Sequence, residues 1–284
     1  MKKNPIGILD EGIQGINFFN YISKKYKYED FIYVNDLKNY PYEGKEEEAI
    51  NRLVSEKIEF MIMSEVKAII IISNAIVEYC SEYLNRLSIP VIRIDEAIID
   101  YVNKKYDQKN IALFGKESII KANIYQKNFK YNHLYNVYSD EFEEIILNKE
   151  VKTSKSFNKM KDATKHINNR DIDIFITLES YLENLYTEIN EYVKAKNFGN
   201  LSEIIIENAV SKKIFEYQKG SGNRIVCTDL KEKEFRNKVF WLDCKYKYFT
   251  IDNLKDKINK QKVKEDMRKA KKEKKNEREE NETR

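Results

Sequence analysis

Cysteine, histidine and proline are all scarce in this chain of 284 residues, and their scarcity rules out several kinds of chemistry. The three cysteines, Cys80, Cys227 and Cys244, are odd in number and share no metal-ligand spacing. That supports neither a disulfide framework nor a zinc site. The two histidines, His133 and His166, sit in polar, tyrosine- or lysine-rich surroundings and read as surface residues. No apolar run approaches the roughly 20 residues that span a bilayer, which argues against a membrane partner. A strand-like Ile6-Gly7-Ile8-Leu9 begins within a few residues of the start, leaving no room for a signal peptide, so the expected location is the cytoplasm. No P-loop, pyridoxal-lysine signature or metal motif is present, and no cofactor or metal is implied.

What is there is a globular composition: 42% hydrophobic residues, 35% charged residues and twenty tyrosines. The formal net charge of +4 misleads, because residues 254–284 carry 13 Lys/Arg against 8 Asp/Glu and leave the remaining body at −1. The tail from about 251 to 284 reads as a charged helical or disordered segment, with only Leu254, Ile258 and Met267 as a thin apolar stripe. Its interspersed acids and lack of aromatics argue against a nucleic-acid arm.

Along the body, apolar strands are expected at 5–9, 31–34, 67–72, 90–94, 109–114, 172–177, 203–206 and 224–227. Helical patterns rich in Glu, Lys and Leu fall at 45–65, 75–87, 117–129, 155–168 and 181–197. Such alternation predicts an α/β fold with mostly parallel sheets covered by helices on both faces. The run Val66-Lys67-Ala68-Ile69-Ile70-Ile71-Ile72-Ser73-Asn74-Ala75 reads as a buried strand ending in a polar pair that starts a helix. The carboxyl end of such a strand is where ligands sit in open α/β sheets. Gly12, Gly15 and Gly115 follow strands, as tight turns require, but Gly12-x-x-Gly15 is no dinucleotide fingerprint.

Segment by segment from about residue 4 to 245, the chain resembles glutamate racemase and its Asp/Glu racemase relatives. The resemblance rests on Pro5-Ile-Gly-Ile-Leu-Asp10-Glu-Gly12, on Asp30-Phe-Ile-Tyr33, Asp36 and Tyr40-Pro41-Tyr42, and on the segment ending Ser73-Asn74. It continues through Pro90-Val-Ile-Arg-Ile94, Asn110-Ile-Ala-Leu-Phe-Gly115, Ser118 to Tyr125, and Asp173-Ile-Phe-Ile-Thr177. It implies two similar α/β domains facing across a cleft, the first from 1–95 with 206–250 and the second from 96–205. A small-molecule ligand, such as an amino acid, would sit between them, and a homodimer is the expectation by analogy.

The family uses two cysteines, because a thiol is easily tuned to a thiolate base. Here the resemblance puts Ser73 and Glu179 at those catalytic positions, and Tyr181 where the second motif has histidine. It maps substrate binding onto Asp10, Glu11, Pro41, Tyr42, Asn74, Ser118 and Ser180. An unassisted serine hydroxyl is a very poor base, so two-thiol racemisation is not expected. Glu11, Glu43 and Glu179 add acid to a cleft that would receive an anionic amino acid. Like charges there raise one another's pKa and oppose a dicarboxylate. A cationic ligand, a metal ion, or a cleft closed by internal Lys–Glu pairs fits better, with Lys116 offsetting one acid. Asp10 could still hold an ammonium and Asn74 a carboxylate, although Asp and Asn at such turns are also ordinary caps. Three readings follow: a family member that binds a ligand or partner without cysteine catalysis, an isomerase or lyase using Glu179 with Ser73 or water, and a scaffold acting through the tail.

Overall fold

A computed structural model describes residues 4–130, 132–215, 221–260 and 264. Among these residues, ten strands form two sheets in which every pairing is parallel. The larger is built from β1 (Ile6–Asp10), β2 (Phe31–Asn35), β3 (Ala68–Ile71), β4 (Val91–Arg93), β9 (Arg224–Thr228) and β10 (Lys247–Phe249), in the order β10-β9-β2-β1-β3-β4. The smaller holds β5 (Asn110–Gly115), β6 (His133–Tyr138), β7 (Ile172–Thr177) and β8 (Ala195–Gly199), in the order β6-β5-β7-β8. These are two α/β domains, each with its sheet covered by helices. Among the described residues, no helix is long and apolar enough to cross a membrane.

Burial on both faces explains the sequence of the central strands. Ala68 through Ile72 are all at most 1% exposed, so the isoleucine run has no solvent face that would demand alternation. Outer strands differ: in β6 only Val137 is buried, and β8 exposes Lys196 and Asn197. That is why β6, β8 and the short β10 escape a reading tuned to apolar runs.

One expected strand is wrong. Residues 203–206 lie inside the helix Leu201–Ser211, whose Asn200 side chain accepts a hydrogen bond from the Glu203 N–H at 3.0 Å. This cap opens the helix, and its apolar residues pack against the helices Ile94–Lys105 and Ile16–Lys25. An isoleucine triplet taken alone reads like a strand, although exposed Glu203, Glu207 and Val210 around it recur at helical spacing. The expected helix at 181–197 is also shortened. It is a 3₁₀ turn (Ser180–Leu185) and a helix (Tyr186–Tyr192), followed by β8. Of the charged tail, residues 251–260 are helical, and most of the remainder lies outside the described residues.

All-parallel sheets align their carboxyl ends on one edge, and a crevice opens where the connections diverge to either side. In the larger sheet that point is between β1 and β3; in the smaller it is between β5 and β7. The residues that leave these four strands are therefore Asp10–Glu11, Ser73–Asn74, Lys116, and Glu179–Ser180. The candidate positions read from the sequence cluster at these two divergence points.

Candidate functional site

The two strand-end clusters face each other and are bonded together. Asn74 donates through Nδ2 to the Leu178 carbonyl at 2.8 Å and accepts from the Tyr125 hydroxyl at 2.5 Å. The Ser180 hydroxyl donates to the Gln14 carbonyl and accepts from the Phe18 N–H at 3.4 Å. Lys116 donates to the Tyr40 hydroxyl at 2.9 Å and pairs with Glu143 at 2.5 Å, and Tyr40 donates to the same Glu143 oxygen at 2.5 Å. Tyr40 comes from the larger-sheet domain; Lys116 and Glu143 come from the other. This latch closes one side of the cleft.

Asp10, at the end of β1, is fully buried and organises the turn that follows. Its carboxylate accepts the Gly12 N–H at 3.0 Å, the Gly15 N–H at 2.7 Å and the Tyr33 hydroxyl at 2.5 Å. Burial raises its pKa against these bonds. Both glycines are held by close approach. A Cβ on Gly12 would lie 2.2 Å from the Tyr40 ring, and one on Gly15 would lie 3.1 Å from the Asp10 carboxylate. The turn thus seats Tyr40, and through it the latch.

Glu11 turns toward the cleft. It accepts the Tyr42 N–H at 3.0 Å and the Gln14 amide at 2.9 Å. Burial first, then the neighbouring Asp10 charge, push its pKa up to about 8, against the pull of the Tyr42 N–H and Lys116. Tyr42 is itself buried, and its hydroxyl donates to Asp36 at 2.6 Å. Asp36 faces Lys57 at 3.5 Å, and Lys57 pairs with Asp229 at 2.8 Å. The Pro41–Tyr42 loop is thereby tied to the sheet edge.

On the other side, Ser73 is fully buried and its hydroxyl accepts the Ile76 N–H at 3.2 Å, capping the helix Asn74–Tyr79. Glu179 is equally buried. One carboxylate oxygen has only two long contacts, the Lys116 N–H at 3.4 Å and the Ser139 hydroxyl at 3.5 Å. Among the described residues, the other oxygen has no hydrogen-bond partner, nor does the Tyr181 hydroxyl. That hydroxyl lies near enough to favour the Glu179 charge, although the pair falls short of hydrogen-bond geometry. Desolvation dominates and pushes the Glu179 pKa up to about 7, opposed by Lys116 and reinforced by Glu143.

At the cleft lies a cavity of about 30 Å³ lined by Glu11, Gln14, Pro41, Glu43, Ala75, Glu78, Tyr79, Lys116, Ser118 and Ile119. It has room for one or two water-sized groups. Of the residues expected to form the site, Glu11, Pro41 and Ser118 line it. Asp10, Tyr42, Ser73, Asn74, Glu179 and Ser180 do not, and their polar groups largely serve the protein's own backbone and side chains. Gln14, Tyr40, Glu78 and Glu143 belong to the site and were not anticipated. Tyr40 stood within the quoted Tyr40-Pro41-Tyr42 segment, but nothing local distinguishes Glu143 from other helix-surface glutamates. A larger depression of about 350 Å³ lies away from the cleft, beside Lys57, Asp229 and Lys255. Its acids and lysines include the Lys57–Asp229 pair, and none of the residues leaving the four central strands lines it.

The three cysteines are outside the cavity lining. Burial pushes the Cys80 thiol up to about 12 and raises those of Cys227 and Cys244. None is poised as a thiolate base.

No protein-family model matches the chain. It is similar to a glutamate racemase of Hydrogenobaculum sp., with 24% identity over 255 residues, covering 88% of this chain and 98% of that protein. Its fold is similar to the crystal structure of a glutamate racemase from Bacillus anthracis, with a TM-score of 0.74 and 20% identity over 88% of this chain and 98% of that one. A glutamate racemase from Francisella tularensis, solved in complex with D-glutamate, gives a TM-score of 0.73 at 20% identity, over 87% of this chain and 97% of that one.

Proposed function

Because this chain belongs to the Asp/Glu racemase family, we propose that it binds a small ligand in the interdomain cleft and does not perform two-thiol racemisation. The observation that carries this reading is the pairing of Ser73 and Glu179 at the two divergence points, with all three thiols elsewhere. Ser73 cannot act as a base while its hydroxyl caps the Asn74–Tyr79 helix, and no histidine stands beside it to take the proton. Asp10, which would hold a substrate ammonium, already accepts three hydrogen bonds. The Lys116–Glu143 pair closes one side of the cleft and leaves room for a small ligand only.

A second reading draws on Glu179. Its oxygen without a partner and its pKa near neutrality suit a general base, which would make the chain an isomerase or lyase without thiols. The two readings part in one experiment. The protein is incubated in D₂O with L- and D-glutamate and aspartate, and deuterium at Cα is followed by NMR beside a Glu179→Gln control. The ligand-binding reading expects no exchange above that control. Exchange that the substitution abolishes would replace it with the second reading.

A further inference from the structure

The cavity at the cleft mouth carries three carboxyl groups against one cation. Glu11, Glu43 and Glu78 face it, with Lys116 and the hydroxyls of Ser118 and Tyr79. Lys116 is already engaged by Glu143 and Tyr40. Gln14 is 2% exposed and lines the same cavity. Its amide nitrogen donates to Glu11 at 2.9 Å, which fixes the amide orientation and leaves Oε1 buried with no hydrogen-bond partner among the described residues. A buried carbonyl oxygen in that state is destabilising until a donor reaches it. Behind the cavity, Glu179 adds a second oxygen without a partner. Among the described residues, no three His, Cys, Asp or Glu side chains converge as metal ligands, so an N–H donor is the better match.

We propose that this cavity takes the primary ammonium head of an alkylamine or basic amino acid, with its N–H groups directed to Gln14 Oε1 and to the carboxylates of Glu11 and Glu43. The proposal rests on the cleft being a ligand site and names what enters it. Size supports it: about 30 Å³ admits an ammonium head while the chain of the ligand leaves past exposed Pro41 and Glu43. A dicarboxylate would bring a second anion against three glutamates. Burial already holds Glu11 partly protonated near neutral pH, and an arriving cation would favour its ionised form. Proton release on binding is the expected signature.

The test is isothermal titration calorimetry of the full chain at neutral pH in two buffers of different ionisation enthalpy. The probes are cadaverine, L-lysine, choline and L-glutamate. Cadaverine and L-lysine are expected to bind with proton release. Choline, a cation without N–H donors, and L-glutamate are expected not to bind. Gln14→Leu should weaken cadaverine binding by roughly tenfold or more, the worth of a hydrogen bond to a charged group. Glu43→Gln, at an exposed position that folding does not depend on, should weaken it as well. Equal binding of choline would overturn the proposal, as would cadaverine binding that neither substitution alters. Binding of L-glutamate alone would overturn the ligand class and leave the cleft as a ligand site. Binding of no probe at millimolar concentration would overturn both.

Discussion

Replacing Glu179 by glutamine should make this protein more stable, by an amount that grows as pH rises from about 4.5 through about 7. The carboxyl is fully buried, with two long contacts on one oxygen and none on the other. Desolvation exceeds the help from Lys116 and lifts its pKa from 4.5 to about 7. A carboxyl whose pKa is raised by folding binds more protons in the native than in the unfolded state between those two values. Stability therefore falls as pH rises from about 4.5 through about 7, and the full penalty stands above that window. At about 1.4 kcal/mol per unit, the penalty is on the order of 3 kcal/mol. Glutamine keeps the shape, removes the charge, and offers an N–H to the Tyr181 hydroxyl, which lacks a partner. Urea unfolding followed by circular dichroism should then show Glu179→Gln more stable than the parent by about 3 kcal/mol near pH 8.5, with the gap closing toward pH 5. A variant less stable than the parent at alkaline pH would refute the reasoning. It would mean that the charged carboxylate, through Lys116, is a net stabilising partner. A gap independent of pH would refute it too, by assigning the effect to packing.

Other expectations concern the latch, the cap and the thiols. Lys116→Met leaves Glu11, Glu143 and Glu179 without their shared cation. The pair is largely but not wholly buried, so a loss of about 2–3 kcal/mol is expected, between exposed and fully buried pairs. A double-mutant cycle with Glu143→Gln should recover part of it, and a coupling near zero would show that the latch contributes nothing. Ser73→Ala removes the Ile76 N–H acceptor and should lower stability by about 1 kcal/mol in thermal melts, without altering Cα exchange. A much larger loss would mean that the hydroxyl does more than cap the helix. In native protein, buried Cys80 and Cys227 should react with a thiol-specific disulfide reagent at pH 8 only on denaturation, and half-buried Cys244, its thiol raised by burial, should react slowly. One rapidly labelled native cysteine would contradict that.

The amino-acid sequence by itself determined the fold class and most of the larger sheet. Strands buried on both faces are written as unbroken apolar runs, so Ile69–Ile72, Ile6–Leu9 and Ile174–Ile176 could be read locally. The same logic failed at 203–206, where the Ile204–Ile206 triplet imitates a strand and the helical spacing of exposed Glu203, Glu207 and Val210 shows only over a longer window. It failed again at β6 and β8, whose exposed residues dilute the pattern. The strand ends carrying Asp10, Ser73 and Glu179 were legible because each follows an apolar run. What those groups do was decided by the tertiary structure. Asp10 and Ser73 are turned to backbone N–H groups of their own turns, and Asn74 and Ser180 to carbonyls of the opposite domain. Whether a polar residue at a strand end faces a ligand or its own chain depends on what lies across the cleft, and here Tyr40, Lys116 and Glu143 meet from positions up to 103 residues apart. Hydrogen bonds and ion pairs are short-ranged and directional, so only the folded chain settles which donors they reach.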